Sequence, residues 1–153
     1  MSAIYSFSWS GSGGSELKFG KQGTDVIVRY IEQSLKPVEE GEVLVNGDIA
    51  TKGRIRQWFI DILEGHVPII LLNKIDRADY WIVKLHYVYG DSWAEIHRRS
   101  MVPESTLRYR RDRFFRAVVE AMPMSQGIEI LKIHRRHEAD TNRQARWENE
   151  SEQ

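Results

Sequence analysis

The chain has 153 residues, 41% of them hydrophobic, and balances 22 basic side chains against 22 acidic ones. That length and apolar content suit one ordinary domain, or two small ones, with a real core. The absence of cysteine excludes a disulfide framework and a thiolate zinc site; no signal-peptide pattern and no apolar run of membrane-spanning length is visible, so a cytoplasmic protein without membrane contact is expected.

In chain order, residues 1–23 read as a flexible arm, because Ser6 to Ser15 is almost entirely Ser and Gly. Ile4, Tyr5, Phe7 and Trp9 are large apolar groups to leave in water, so this arm either orders against a partner or lies on the domain's own surface. Gly11, Gly13 and Gly14 lack the Gly-Lys-Ser/Thr of a phosphate loop. Residues 24–72 read as an N-terminal helical part. Thr24 to Lys36 carries Val26, Ile27, Tyr30, Ile31 and Leu35 on one side, with Thr24 as cap and Pro37 as stop. Glu42 to Val45 reads as a short strand, and Asn46-Gly47 as a turn. From Asp48 or Thr51 to Glu64, Ile55, Trp58, Phe59, Ile62 and Leu63 mark a second amphipathic helix with Gly65 just past its end. Val67 to Leu72 is an apolar connector expected to pack between the two halves.

Residues 73–122 carry the densest pattern. Ala78, Trp81, Ile82, Leu85 and Val88 recur at threes and fours, which predicts a helix buried along that stripe and capped by Asp76. Gly90-Asp91 ends it. Ser92 and Glu95 form a Ser-x-x-Glu capping box for a short second helix, with Trp93 and Ile96 inward. Met101-Val102 turns the chain, and Pro103 fits the first position of a third helix. Leu107, Phe114, Val118 and Ala121 or Met122 give that helix its buried stripe. Trp81, Leu85, Trp93, Ile96, Leu107 and Phe114 are expected to be core.

Helix, turn, helix, tight turn and basic helix is the plan of a helix-turn-helix module, which presents its last helix to the major groove of DNA. Charge is distributed accordingly. Residues 1–50 hold four Lys/Arg against seven Asp/Glu, whereas residues 92–116 hold seven Arg against three acids. On this plan Glu104, Ser105, Arg108 and Tyr109 point at base edges. Arg98, Arg99, Thr106, Arg110 and Arg113 grip phosphates, and Ser92 meets a phosphate through its helix N-terminus.

Leu85, Tyr87, Gly90, Ser92, Glu95 and Ile96, followed by Val102, Ser105, Thr106, Leu107 and Arg108, resemble the DNA-reading part of region four of bacterial sigma factors. The same stretch, about residues 76–122, is similar to the helix-turn-helix of zinc-free phage Q-type late-gene antiterminators. His97, Ser100-Met101 and Arg111 depart from the usual small Ala, Leu-Gly and Leu. The resemblance implies a mainly α, helical domain containing a sigma region-four-like helix-turn-helix, with a flexible arm before it and a polar tail after it. It implies transcription antitermination on double-stranded DNA, alone or as a homodimer, with host RNA polymerase as partner, in the bacterial host cytoplasm. The alternatives are the small DNA-recognition subunit of a phage packaging terminase, a plain repressor or activator, and a polymerase-binding adaptor that uses the module for protein contact alone.

Residues 123–153 read as a C-terminal extension or tail: a helical turn or two around Ile128, Ile130, Leu131 and Ile133, then a solvated helix or disordered chain from His134 onward. His134 and His137 are spaced as metal ligands can be, but no third ligand is evident, and no metal or other cofactor is expected. His66, His86 and His97 are scattered, no paired carboxylates suit acid–base work, and there is no Gly-x-Ser-x-Gly or Walker motif, so no enzyme is expected.

Overall fold

The computed structural model describes residues 17–36 and 46–151. Within them the protein is mainly helical, with no strand: α1 (Gly20–Ser34), α2 (Asn46–Leu63), α3 (Ile69–Leu72), α4 (Arg77–Tyr87), α5 (Trp93–Ser100), α6 (Glu104–Ala121) and α7 (Met124–Ser151). The expected strand at residues 42–45 and the arm's Ile4, Tyr5, Phe7 and Trp9 lie outside the described residues. No helix among them is long and apolar enough to cross a membrane.

One apolar core joins the two parts that the sequence separates. Ile27 and Ile31 of α1, Ile55, Phe59 and Leu63 of α2, Leu71 of α3, Val83 of α4, Phe114, Phe115, Val118 and Val119 of α6, and Ile130 of α7 are all buried within it. The Phe59 ring organises its centre, stacked on Phe115 at 5.0 Å and set edge-on to Phe114 and Tyr87 at 6.0 and 6.4 Å. Such ring pairs add to what their buried area contributes.

Three boundaries differ from the sequence reading, and the first is that of α2, which begins at Asn46, so that Asn46-Gly47 opens the helix and is not a turn before it. α1 starts at Gly20, and Thr24 sits buried inside it with its hydroxyl donating to the Gly20 carbonyl at 2.7 Å instead of capping the helix. The end of the predicted arm is therefore part of the packed fold. The Lys18 amide donates to the Glu120 carboxylate at 3.2 Å, Lys18 Nζ donates to the Met122 carbonyl, and the Phe19 ring lies on Gly127. The apolar connector becomes the short α3, in which Leu71 alone is buried while Ile69, Ile70 and Leu72 face solvent. Of the two readings of the chain from His134 onward, the described residues follow the solvated helix: α7 runs unbroken to Ser151, anchored through Ile130 and Ile133.

The face of α4 also differs. Asp79 and Val83 are buried, Tyr80 and Tyr87 pack beside them, and Trp81 is 48% exposed with Lys84 Nζ 5.1 Å from its ring. Ala78 is exposed, and Leu85 and Trp93 are half-buried. Of the six residues expected in the core, Ile96, Leu107 and Phe114 are fully buried.

Candidate functional site

The candidate site is the surface built by α4, α5 and α6, and local signals set its geometry. Asp76 caps α4 by accepting from the Ala78 and Asp79 amides at 2.8 and 3.2 Å. Gly90 takes φ +79° beyond the end of α4, a left-handed conformation that glycine adopts without a Cβ penalty, and the Asp91 amide closes on the Leu85 carbonyl. Ser92 caps α5 through the Glu95 amide at 3.1 Å. The Glu95 carboxylate does not close the capping box; it accepts from Arg98 and Arg99 instead. The hydrogen bond from Arg98, then that from Arg99, holds Glu95 below the ordinary carboxylate range.

The turn into α6 is tight and unusual. Met101 caps α5 with φ +63° and ψ +12°, donating its amide to the His97 carbonyl at 2.8 Å. It is the one non-glycine residue with positive φ among those described. Two side chains brace it. His97 Nδ1 lies 2.7 Å from the Val102 carbonyl, which can only accept, so the ring nitrogen is the donor. Ser100 Oγ donates to the Ile96 carbonyl and accepts from the Val102 amide. These two residues stand where the sigma-like pattern has others, and their side chains fix the turn.

From Pro103, which precedes α6 as its cap, the helix divides sharply. Leu107, Phe114, Phe115, Val118 and Val119 are buried, of which Phe115 and Val119 are additions to the stripe read from sequence. Glu104, Ser105, Arg108 and Tyr109 stand exposed at the other edge, and Thr106 is half-buried. Arg98 and Arg99 are 72% and 58% exposed on α5, the latter also 3.5 Å from Asp91. Ser92 is exposed at the α5 N-terminus.

Arg110 and Arg113 have a partner within the fold, although their side chains stay 31% and 46% exposed. Sequence assigns both to phosphate, yet both turn onto Asp79, which is 1% exposed. Arg113 donates to it through Nε at 2.6 Å and through Nη2 at 3.0 Å, and Arg110 donates at 3.1 Å. A buried carboxylate needs such partners, since stripping it of water without them costs several kcal/mol on the order-of-magnitude scale for buried ions. The hydrogen bond to Asp79 raises the Arg113 pKa above the usual guanidinium range. Arg113 also lies over the Tyr109 ring, 5.5 Å from its centroid, so the internal ion pair supports an exposed aromatic.

Arg111, in a slot that is usually Leu, is a second inward guanidinium. It pairs with Glu32 of α1 at 2.9 Å and with Asp112 at 3.0 Å, and lies 6.0 Å from the centroid of Trp93. Trp93 stacks in turn on His86 at 4.0 Å, and His86 Nδ1 donates to the Asp91 carbonyl. The arginine thus ties α6 to α1 and to the start of α5 at once.

No protein-family model, curated protein or solved structure matches this chain. The site has to be read from its own chemistry. It is an exposed edge with polar, hydrogen-bonding side chains on one helix and two exposed guanidiniums on the helix before it. His134 faces Glu138 at 3.2 Å and His137 faces Asp48 at 3.6 Å, so each imidazole has its own carboxylate. Among the described residues, no group of three or more His, Cys, Asp or Glu could hold a metal ion.

Proposed function

We propose that α4, α5 and α6 form a helix-turn-helix module and that the N-terminal half of α6 enters the major groove of double-stranded DNA. The observation that carries this reading is the division of α6. Glu104, Ser105, Arg108 and Tyr109 are exposed at its start, while Leu107 and Phe114 hold the same helix rigidly in the core. Arg108 suits a guanine through paired hydrogen bonds to O6 and N7, Glu104 suits a cytosine amino group, and Ser105 and Tyr109 complete the base-facing set. Ser92, Arg98, Arg99 and Thr106 form the phosphate-contacting flank. Arg110 and Arg113 position α6 from within.

The biological role in this proposal is that of a phage-type transcription factor acting as an antiterminator. The protein binds a site at a late promoter, loads onto host RNA polymerase and suppresses pausing and termination. The resemblance of residues 76–122 to the Q-type antiterminators and to sigma region four supports this role. A crosslinking map of the tagged protein along DNA in expressing cells tests it. Signal that begins at one promoter and continues through the transcribed region downstream is the expected result. A single sharp peak without downstream signal would remove antitermination and leave a repressor or a packaging-site binder.

A further inference from the structure

α7 has 28 residues and is therefore about 42 Å long at 1.5 Å per residue. Its inward face is short: Gly127, Ile130 and Ile133 are buried, and every residue from Arg135 to Glu150 is exposed. At 100° per residue, Lys132, Arg135, Arg136, Arg143 and Arg146 fall within an arc of about 100°, centred about 170° from that buried face. Glu150 is the single acid inside the arc. Arg143 pairs with Asp140 at 3.1 Å, but both side chains are about 70% exposed, and such a surface pair is readily exchanged for another anion. Among the described residues, Lys132, Arg135, Arg136 and Arg146 have no ion-pair partner.

The helix has a defined direction. α1 and α6 run antiparallel, with Asp25 on Arg116, Glu32 on Arg111 and Lys18 on Met122. α1 and α7 run parallel. Phe19 sits on Gly127 and Leu131 lies beside Gly23, while His134 and His137 border the same cavity as Arg29, Tyr30 and Gln33. So α7 runs back along the bundle toward the N-terminal end of α6. Arg143 and Arg146 lie on the distal half of α7, the half directed toward that end.

We propose that the outer face of α7 is a second DNA surface, which contacts the phosphates of the duplex flanking the segment held by α6. This inference rests on the DNA-binding reading of α6. Charge complementarity identifies the occupant: five cations of one sign line up on one face. Apolar groups on the arc are few, Ile128 and Ala139, with the exposed Trp147 just past its edge, so the face is dominated by cations and offers no cluster of apolar anchors such as a protein partner would need. A phosphate backbone needs none, and counterion release alone makes such binding favourable.

The test is fluorescence-anisotropy titration of the full chain with a mixed-sequence duplex, over a range of KCl concentrations. In the triple variant Arg135→Gln, Arg143→Gln, Arg146→Gln, the log–log salt slope is expected to fall by about two to three, at ~0.9 for each phosphate no longer neutralised. The triple Arg→Lys variant is expected to keep the wild-type slope, and circular dichroism of both is expected to show unchanged helix content. Arg108→Ala, run alongside, separates the two readings. If only the α7 variant changes the slope and Arg108→Ala leaves base preference intact, the α7 surface stands and the α6 reading falls. An unchanged slope in the α7 glutamine variant, with wild-type DNA binding present, overturns the α7 surface while Arg108→Ala still judges α6. Failure of the wild type to bind the duplex at low salt also overturns it, and capture of polyglutamate in that case would assign the face to an acidic protein.

Discussion

Asp79 of α4 receives Arg113 of α6 through two hydrogen bonds of 2.6 and 3.0 Å while itself almost wholly buried. The pair, with Arg110 beside it, fixes how α6 is rotated on α4, and with it which side chains the start of α6 shows to solvent. Replacing Asp79 with Ala leaves two guanidiniums without their carboxylate and is expected to cost about 2 to 4 kcal/mol, somewhat less than a fully buried pair because both arginines keep partial access to water. Urea denaturation followed by circular dichroism measures it. Arg113→Ala should also lower the unfolding midpoint, whereas a purely phosphate-contacting arginine would leave that midpoint where it was.

Arg108 has the opposite character. It is exposed and lies away from the Asp79 pair, so Arg108→Ala should leave the unfolding midpoint within about 0.5 kcal/mol of the original. It should weaken specific DNA binding by about 1 to 3 kcal/mol and relax preference at one base pair. Selection of preferred sequences from a random duplex pool, with wild type and variant in parallel, reads both effects.

Met101 holds φ +63° with its side chain 80% exposed. The left-handed conformation costs an L-residue roughly 1 to 2 kcal/mol, and little burial is lost on truncation. Met101→Gly should therefore raise stability by about 0.5 to 1 kcal/mol after the extra chain entropy of glycine in the unfolded state is set against it. A thermal melt that falls to lower temperature would mean that the bracing by His97 and Ser100, rather than backbone strain, dominates this turn.

Burial raises the Tyr87 hydroxyl from 10 to about 12, with Arg111 pulling the other way. A phenol whose folded pKa lies above its unfolded one contributes stability in full below about pH 10. That contribution is lost as pH rises from about 10 to about 12, because the unfolded chain ionises first. Denaturant midpoints measured across that window should fall for the wild type and fall less steeply for Tyr87→Phe.

Gly127→Ala probes the anchoring of the chain before α1. A Cβ at this position would come within 2.2 to 3.0 Å of the Phe19 ring, so the ring must leave its place. Loss of that packing should outweigh the better helix propensity of Ala, for a net destabilisation of about 1 to 2 kcal/mol. Equal stability of the two proteins would show that Phe19 contributes little.

Much of the secondary structure was legible because its signals are local. Asp76, Ser92, Gly65, Gly90 and Pro103 each act on the backbone within a few residues, and the helices begin or end beside them. The face of α4 was not legible. Hydrophobicity alone draws a stripe through Ala78, Trp81 and Leu85, whereas the buried line runs through Asp79 and Val83. A carboxylate can lie in that line only because Arg110 and Arg113, more than thirty residues later, neutralise it. The clue was present as two arginines three residues apart facing one acid, but pairing over such a distance leaves no periodic trace. The helix of α7 beyond Ile133 was legible only as one of two alternatives, for a related reason. Its distal half is rich in Arg, Glu and Ala, which favour helix without any apolar stripe to mark it. Among the candidate site residues, the exposed edge at Glu104, Ser105, Arg108 and Tyr109 followed from the apolar positions of α6, while the pairing of Arg110, Arg111 and Arg113 with acids of the fold did not.

The hydrogen bonds of Lys18 to Glu120 and Met122 join positions 102 and 104 residues apart, and Ile27 and Ile31 share a core with Phe114, Phe115 and Ile130. During synthesis α1 is followed soon by α2, which shares its core, but it leaves the ribosome long before α6 and α7 exist to cover the rest of its apolar side. At about 5 to 20 residues per second that remaining part stays uncovered for roughly 5 to 20 seconds. The nascent chain passes through an interval in which α1 is available to holdase chaperones, and native closure waits for the last helix. A translational stall before residue 104 would release a product whose first helix has α2 to fold against but lacks the covering faces of α6 and α7.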